Sequence, residues 1–255
     1  MRFRLATLVA LGFVLAGCGS GGSGAQRTSS ATTRPTDGRP AASTTTTVPP
    51  HTSVVAQAKV PSVTVFDAPD QPAPARTMDN PGPGGDPLVF LVKEQRPDWL
   101  NVYLPVRPNG STGWIRPADV DLATHTFRIL VEMGAHQITV WKGDDVFDQE
   151  PIGVGTTDTP TPGGLYYTAQ LKQPVDKLGQ PIVNGPYGPY AYGLSGFSDV
   201  LVDFAGGDGM IGIHGTNDPS SIGHDASHGC IRMSNEGITK LAQSLPLGVP
   251  VEIRA

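Results

Sequence analysis

The most reactive grouping in the chain is Ser227-His228-Gly229-Cys230-Ile231-Arg232, preceded by His214-Gly215-Thr216-Asn217. A thiolate is the nucleophilic form of cysteine, and a nearby imidazole can take the thiol proton and later return it. Two histidines offer themselves, His214 and His228, and spacing alone does not choose between them. Gly229 lets the backbone turn tightly beside the thiol. Consecutive amide N–H groups there could aim at a developing oxyanion. A helix is expected soon after Cys230, and a cysteine near a helix start is placed for a lowered thiol pKa. The alternatives are a buried inert thiol, or a zinc site built from His214, His224, His228 and Cys230. No CxxC or HExxH spacing supports the metal, and no cofactor is implied.

These residues need strands and turns to position them. An apolar run, Met210-Ile211-Gly212-Ile213, leads into His214. After Cys230, Ser234 or Asn235 can cap a helix whose apolar face is Ile238, Leu241 and Leu245, and Pro246 closes it. Further strands are expected at 127–131, 137–141, 146–154, 166–168 and 249–253, with long loops over 173–196. Upstream, Val63, Val65, the run 88–92, Trp99–Leu104 and Gly113-Trp114-Ile115 read as short strands between turns.

The wider composition agrees. The 255 residues contain 32 Gly and 25 Pro, too many helix breakers for a bundle. The net charge is −5, and −9 from Ser53 onward, which excludes the basic footprint of a nucleic-acid binder. Arg2 and Arg4 precede an apolar run from Leu5 to Leu15, too short to span a bilayer. That run ends in Leu15-Ala16-Gly17-Cys18, and the alternative to a lipidation site is a plain secretory signal. Residues 18–52 are rich in Thr, Ser, Pro and Gly, with nine Thr, and read as a flexible linker with a span on the order of 30–35 Å.

Three resemblances follow from these residues. Leu15-Ala16-Gly17-Cys18 resembles the bacterial lipobox, which implies a leader over 1–17, a lipid on Cys18, and an exported chain anchored to the outer face of the cell membrane. The Trp99…Gly113-Trp114-Ile115 pattern resembles bacterial SH3-like barrels, which implies a module over 53–122 that positions its neighbour. His214-Gly215…Ser227-His228-Gly229-Cys230-Ile231-Arg232, with Thr161-Pro162-Gly163 and Gly193–Gly196, resembles the L,D-transpeptidase catalytic domain (YkuD family) over 124–255.

The last resemblance implies a mainly β fold with one or two short helices and a β-sandwich. It also implies an acyl-accepting Cys230, His214 rather than His228 as its base, and a Gly215 carbonyl that orients His214. Amides at His228, Gly229 and Cys230 would form the oxyanion hole. Arg232, Ser227, Thr216 and Tyr192 are expected to face substrate, with Tyr187 and Tyr190 in a covering loop or the core. The implied reaction joins peptidoglycan stem peptides by 3→3 cross-links without metal or cofactor, and carbapenem-type β-lactams would acylate the thiol. Rival readings are an inactive wall-binding protein, attachment of a protein to the wall, and stem-peptide hydrolysis.

Overall fold

The computed structural model describes residues 51–203 and 207–255. The expected leader (1–17), Cys18 and nearly all of the expected linker (18–52) lie outside the described residues. The described part belongs to one compact unit.

Its first half holds β1 (Ser53–Ala58), β2 (Ser62–Val65), β3 (Arg76–Asp79), β4 (Val89–Arg96), β5 (Trp99–Tyr103), β6 (Thr112–Ile115) and β7 (Val120–His125). Five of these form a sheet in the order β6-β5-β4-β1-β7, and β2 and β3 pair as a hairpin. A bridge from Phe66 to Trp114 ties that hairpin to β6. Val63 and Val65 alternate with less buried neighbours, and together with Phe90, Val102 and Ile115 they fill a small core. Trp99 is buried in this packing, edge-on to Phe66 and covered by Arg116 at 3.5 Å.

The second half holds β8 (Phe127–Glu132), β9 (Gln137–Lys142), β10 (Asp145–Pro151), β11 (Val154–Gly155), β12 (Gly164–Lys172), β13 (Ala191–Phe197), β14 (Met210–His214), β15 (Asp225–Ser227), β16 (Ile231–Arg232), the helix α1 (Asn235–Ala242) and β17 (Pro250–Arg254). The main sheet runs β10-β9-β8-β17-β12-β13-β14-β16. Strand β12 is shared: residues 164–167 pair with β17, and residues from Thr168 onward pair with β13. The mainly β class with one α-helix is as expected.

Ser234 caps that helix, its Oγ accepting the Gly237 amide at 2.8 Å. Ile238 and Leu241 are fully buried against the sheet, each contributing about 1.5–3 kcal/mol. One expectation needs correction. The loop predicted over 173–196 ends at Tyr190, because Ala191–Phe197 is a strand. Its glycines serve close packing rather than turning. A Cβ on Gly196 would lie 2.3 Å from a ring carbon of Tyr166.

The two halves share a small core of Val55, Val89, Leu91, Tyr167 and Ala169. Tyr167 is fully buried, and its hydroxyl donates to Val89 O at 3.0 Å. Arg107 reaches from the first half to the carbonyls of Ser198, Leu201 and Asp208. Asn109 exchanges two hydrogen bonds with the backbone of Phe197. Lys172 pairs with Asp86 at 2.5 Å.

Candidate active site

Strand β14 ends at His214, and β16 follows directly from Cys230. The two strands are parallel neighbours in the register Ile213↔Ile231 and His214↔Arg232. Ile213 and Ile231 both point into the core, fully buried. By the two-residue period of a strand, His214 and Arg232 therefore share the opposite face. Cys230, next to Ile231, falls on that face too by the same alternation.

His214 is buried, and its Nδ1 lies 2.6 Å from the Gly215 carbonyl oxygen. A carbonyl only accepts, so Nδ1 carries the proton and the neutral ring presents Nε2 as an acceptor. Burial, opposed by the Gly215 bond and reinforced by the charge of Arg232, depresses the His214 pKa to about 4. Burial also pushes the Cys230 thiol up, against the lowering effects of a backbone hydrogen bond from Gly212 and the Arg232 charge. The resting pair is thus a neutral thiol and a neutral imidazole. This corrects the expectation of a depressed thiol: β16 separates Cys230 from α1, so the helix start is too far to help.

The loop before the thiol is fixed from within. Ser227 Oγ donates to Cys230 O at 2.5 Å and accepts the Gly229 amide at 3.1 Å. Gly229 sits at φ +108°, which its lack of a Cβ permits. Thr156 N–H and Thr159 Oγ1 both donate to Ser227 O. Thr161 Oγ1 holds the Gly155 amide at 2.9 Å.

Four expectations change in consequence. Ser227 is buried and shapes the loop instead of touching substrate. The Gly229 amide already donates to Ser227 Oγ, so it is not available to the expected oxyanion hole. Thr216 is buried, its Oγ1 accepting the Asp218 amide at 3.0 Å in a local turn. Tyr192 is a core residue whose hydroxyl donates to Leu241 O and Leu245 O at the end of α1. Burial raises its pKa, so it stays a donor.

Arg232 does stand at the site, and its Nε is buried with no hydrogen-bond partner. Tyr187 leans edge-on over the His214 ring at 4.9 Å and feels the charge of Cys230. Tyr190 is partly buried against the core. His224 and His228 are exposed. Among the described residues no three His, Cys, Asp or Glu side chains are grouped to hold a metal. Asn235, read from the sequence only as a possible cap, proves to touch the site: its Oδ1 accepts the Thr216 amide at 2.9 Å.

The model of the L,D-transpeptidase catalytic domain, YkuD, matches residues 126–253. The chain belongs to this family. A Bacillus subtilis relative, YkuD, is 35% identical over 137 residues, which are 54% of this chain and 71% of the relative. The solved L,D-transpeptidase of Enterococcus faecium is 22% identical with a TM-score of 0.38, and the match covers 50% of this chain and 49% of that one. L,D-transpeptidase 3 of Mycobacterium tuberculosis, solved with a faropenem-derived adduct, is 15% identical with a TM-score of 0.40, covering 59% and 76%. Family membership rests on the family model and the Bacillus relative. Residues 126–253 are thus an L,D-transpeptidase catalytic domain, and its YkuD match begins at the residue after β7 ends.

The neutral pair gives this YkuD domain a distinctive pH response. Protonation of His214 at about pH 4 removes the base, so thiol acylation should persist at pH 5. The rate should keep rising from pH 5 into the alkaline range, because burial holds the thiol above its ordinary pKa, with no plateau near pH 6 of the kind an imidazolium–thiolate pair would give. Iodoacetamide alkylation of Cys230 followed across that range checks it. The same depression acts on stability. Unfolded His214 binds a proton below about pH 6.5 that the folded ring refuses until about pH 4. Stability should therefore fall as the pH drops through that window.

Proposed function

We propose that the chain is an exported wall enzyme that forms 3→3 cross-links between peptidoglycan tetrapeptide stems. The observation that carries this reading is the β14–β16 register, which pairs His214 with Arg232 two residues after Cys230, together with the Gly215 carbonyl that holds the His214 Nδ1 proton and leaves Nε2 as an acceptor. Cys230 would pass its proton to His214 Nε2 as Sγ attacks the carbonyl of the third stem residue, a diamino acid. The oxyanion would meet the backbone N–H of Cys230. Collapse would break the bond to the terminal D-Ala, whose amine takes the proton from His214. The side-chain amine of a second stem would then attack the thioester, give a proton to His214, and expel the Cys230 thiolate, which takes that proton back. The unpartnered Nε of Arg232 suits a substrate carboxylate. Carbapenem-type β-lactams, as strained acyl donors, would acylate the same sulfur.

The localisation is part of the proposal. Leu15-Ala16-Gly17-Cys18 suits a lipid anchor at the outer face of the cell membrane, and residues 18–52 suit a tether to the wall. We take the first-half sheets as an SH3-like module that positions the catalytic domain, in line with the bonds from Arg107 and Asn109.

Purified protein incubated with tetrapeptide muropeptides should give an acyl-enzyme and a cross-linked dimer by mass spectrometry, and Cys230→Ala should give neither. Tripeptide alone, without dimer, would replace cross-linking by hydrolysis. Dimer from Cys230→Ala would end the thiol mechanism.

A further inference from the structure

The Gly215 carbonyl that holds His214 Nδ1 and the Thr216 N–H that donates to Asn235 Oδ1 belong to one peptide group. A trans peptide points its C=O and N–H in opposite directions within one plane. The two contacts therefore form a line: imidazole N–H to carbonyl, through the peptide, amide N–H to carboxamide oxygen. The distances are 2.6 Å and 2.9 Å. Asn235 grips from behind the very plane that orients the base.

The surroundings leave that grip little slack. A Cβ on Gly215 would lie 2.2 Å from Asn235 Oδ1, and a Cβ on Gly188 would lie 2.3 Å from the same atom. The 173–190 loop thus closes on the Asn235 side chain one residue after Tyr187, the ring that covers His214. Asn235 is itself fixed, because it opens α1 behind the Ser234 cap and its carbonyl accepts Thr239 Oγ1 at 2.6 Å.

We propose that Asn235 is a positioning residue for the base, completing a relay from Cys230 through His214 and the Gly215–Thr216 peptide to a side-chain oxygen. It does two things. It fixes the peptide plane, which keeps the proton on Nδ1 and Nε2 free to accept. It also polarises the carbonyl through the peptide, which strengthens its bond to the imidazole as positive charge develops on the ring. The argument rests on the reading that Cys230 and His214 perform the acyl transfer. It requires only an acceptor oxygen at position 235, not an amide.

The test compares Asn235→Ala and Asn235→Asp in the full chain, reading Cys230 acylation by a carbapenem, the thermal melting midpoint, and the NMR signal of the His214 Nδ1 proton. Acylation by the parent protein, and its loss in Cys230→Ala, establish the thiol chemistry independently. Asn235→Ala should acylate about tenfold to a hundredfold more slowly, with the Nδ1 proton signal shifted or broadened by exchange. Asn235→Asp, which keeps an oxygen in place, should recover most of the rate and the signal. The proposal is overturned if Asn235→Ala acylates within twofold of the parent. It is equally overturned if Asn235→Asp melts as the parent does yet is as slow as Asn235→Ala. Should Asn235→Ala fail to fold, the Asp variant and the proton signal decide alone: a parent-like rate and signal support the relay, and their loss in a folded protein ends it.

Discussion

Replacing His214 by alanine should slow acylation of Cys230 by about a thousandfold, while His228→Ala should stay within about tenfold of the parent. The large figure follows from the state of the thiol. Burial raises its pKa, so at neutral pH the sulfur cannot ionise unaided and needs an acceptor for its proton. In the proposed reaction His214 is that acceptor, held in one tautomer by Gly215. His228 is closer in sequence but exposed, and it lies outside the β14–β16 pair. Pre-steady-state mass spectrometry with a carbapenem resolves both variants. Comparable losses at the two positions would remove His214 from the base role.

Tyr167→Ala should destabilise the protein by about 3–5 kcal/mol, the range for removing a large buried ring. Tyr167 is fully buried between the two halves of the described chain, against Val55, Val89 and Leu91. Its hydroxyl serves Val89 O and, at 3.4 Å, Tyr103 O. Tyr167→Phe keeps the ring and should cost only about 1 kcal/mol for the lost hydrogen bond. Denaturant unfolding monitored by tryptophan fluorescence measures both. Trp99 and Trp114 report the first half and Trp141 the second, so single-tryptophan versions show whether the halves melt together. A change under 1 kcal/mol for the alanine variant would mean that the shared core contributes little.

The chemistry was easier to read in the sequence than its supports. Cys230, His214 and Arg232 stand out because an apolar strand leads straight into one motif and a strand residue separates the two polar members of the other. Alternation then carries the geometry. The family resemblance points Ser227, Thr216 and Tyr192 at substrate. Their partners are backbone groups of the loop and of α1, and such pairing depends on tertiary packing. Asn235 was missed for a related reason: its partner, Thr216, lies 19 residues upstream. The glycines of β13 were read as loop residues, since nothing local announces that Tyr166 will need the space above Gly196. The direction of the thiol shift was misjudged because the two-residue β16 was not foreseen, and it moves α1 away from the sulfur.

The place of β17 has a consequence for assembly. Strand β17 lies in the middle of the sheet, parallel to β8 on one side and antiparallel to β12 on the other. Its β8 partners, such as Ile129 opposite Val251, lie more than a hundred residues earlier. Within the main sheet, β14 and β16 are therefore on one side of a seam that residues 250–254 close, while outside that sheet β11 pairs with β15 and Gly153 bridges Arg232. Pairing over such a separation comes late, because its loop entropy is met before its contacts form. Within that sheet the β12–β13–β14–β16 strands reach β8–β9–β10 through this segment, so the sheet that carries the site is complete only when nearly all of the catalytic domain has been made.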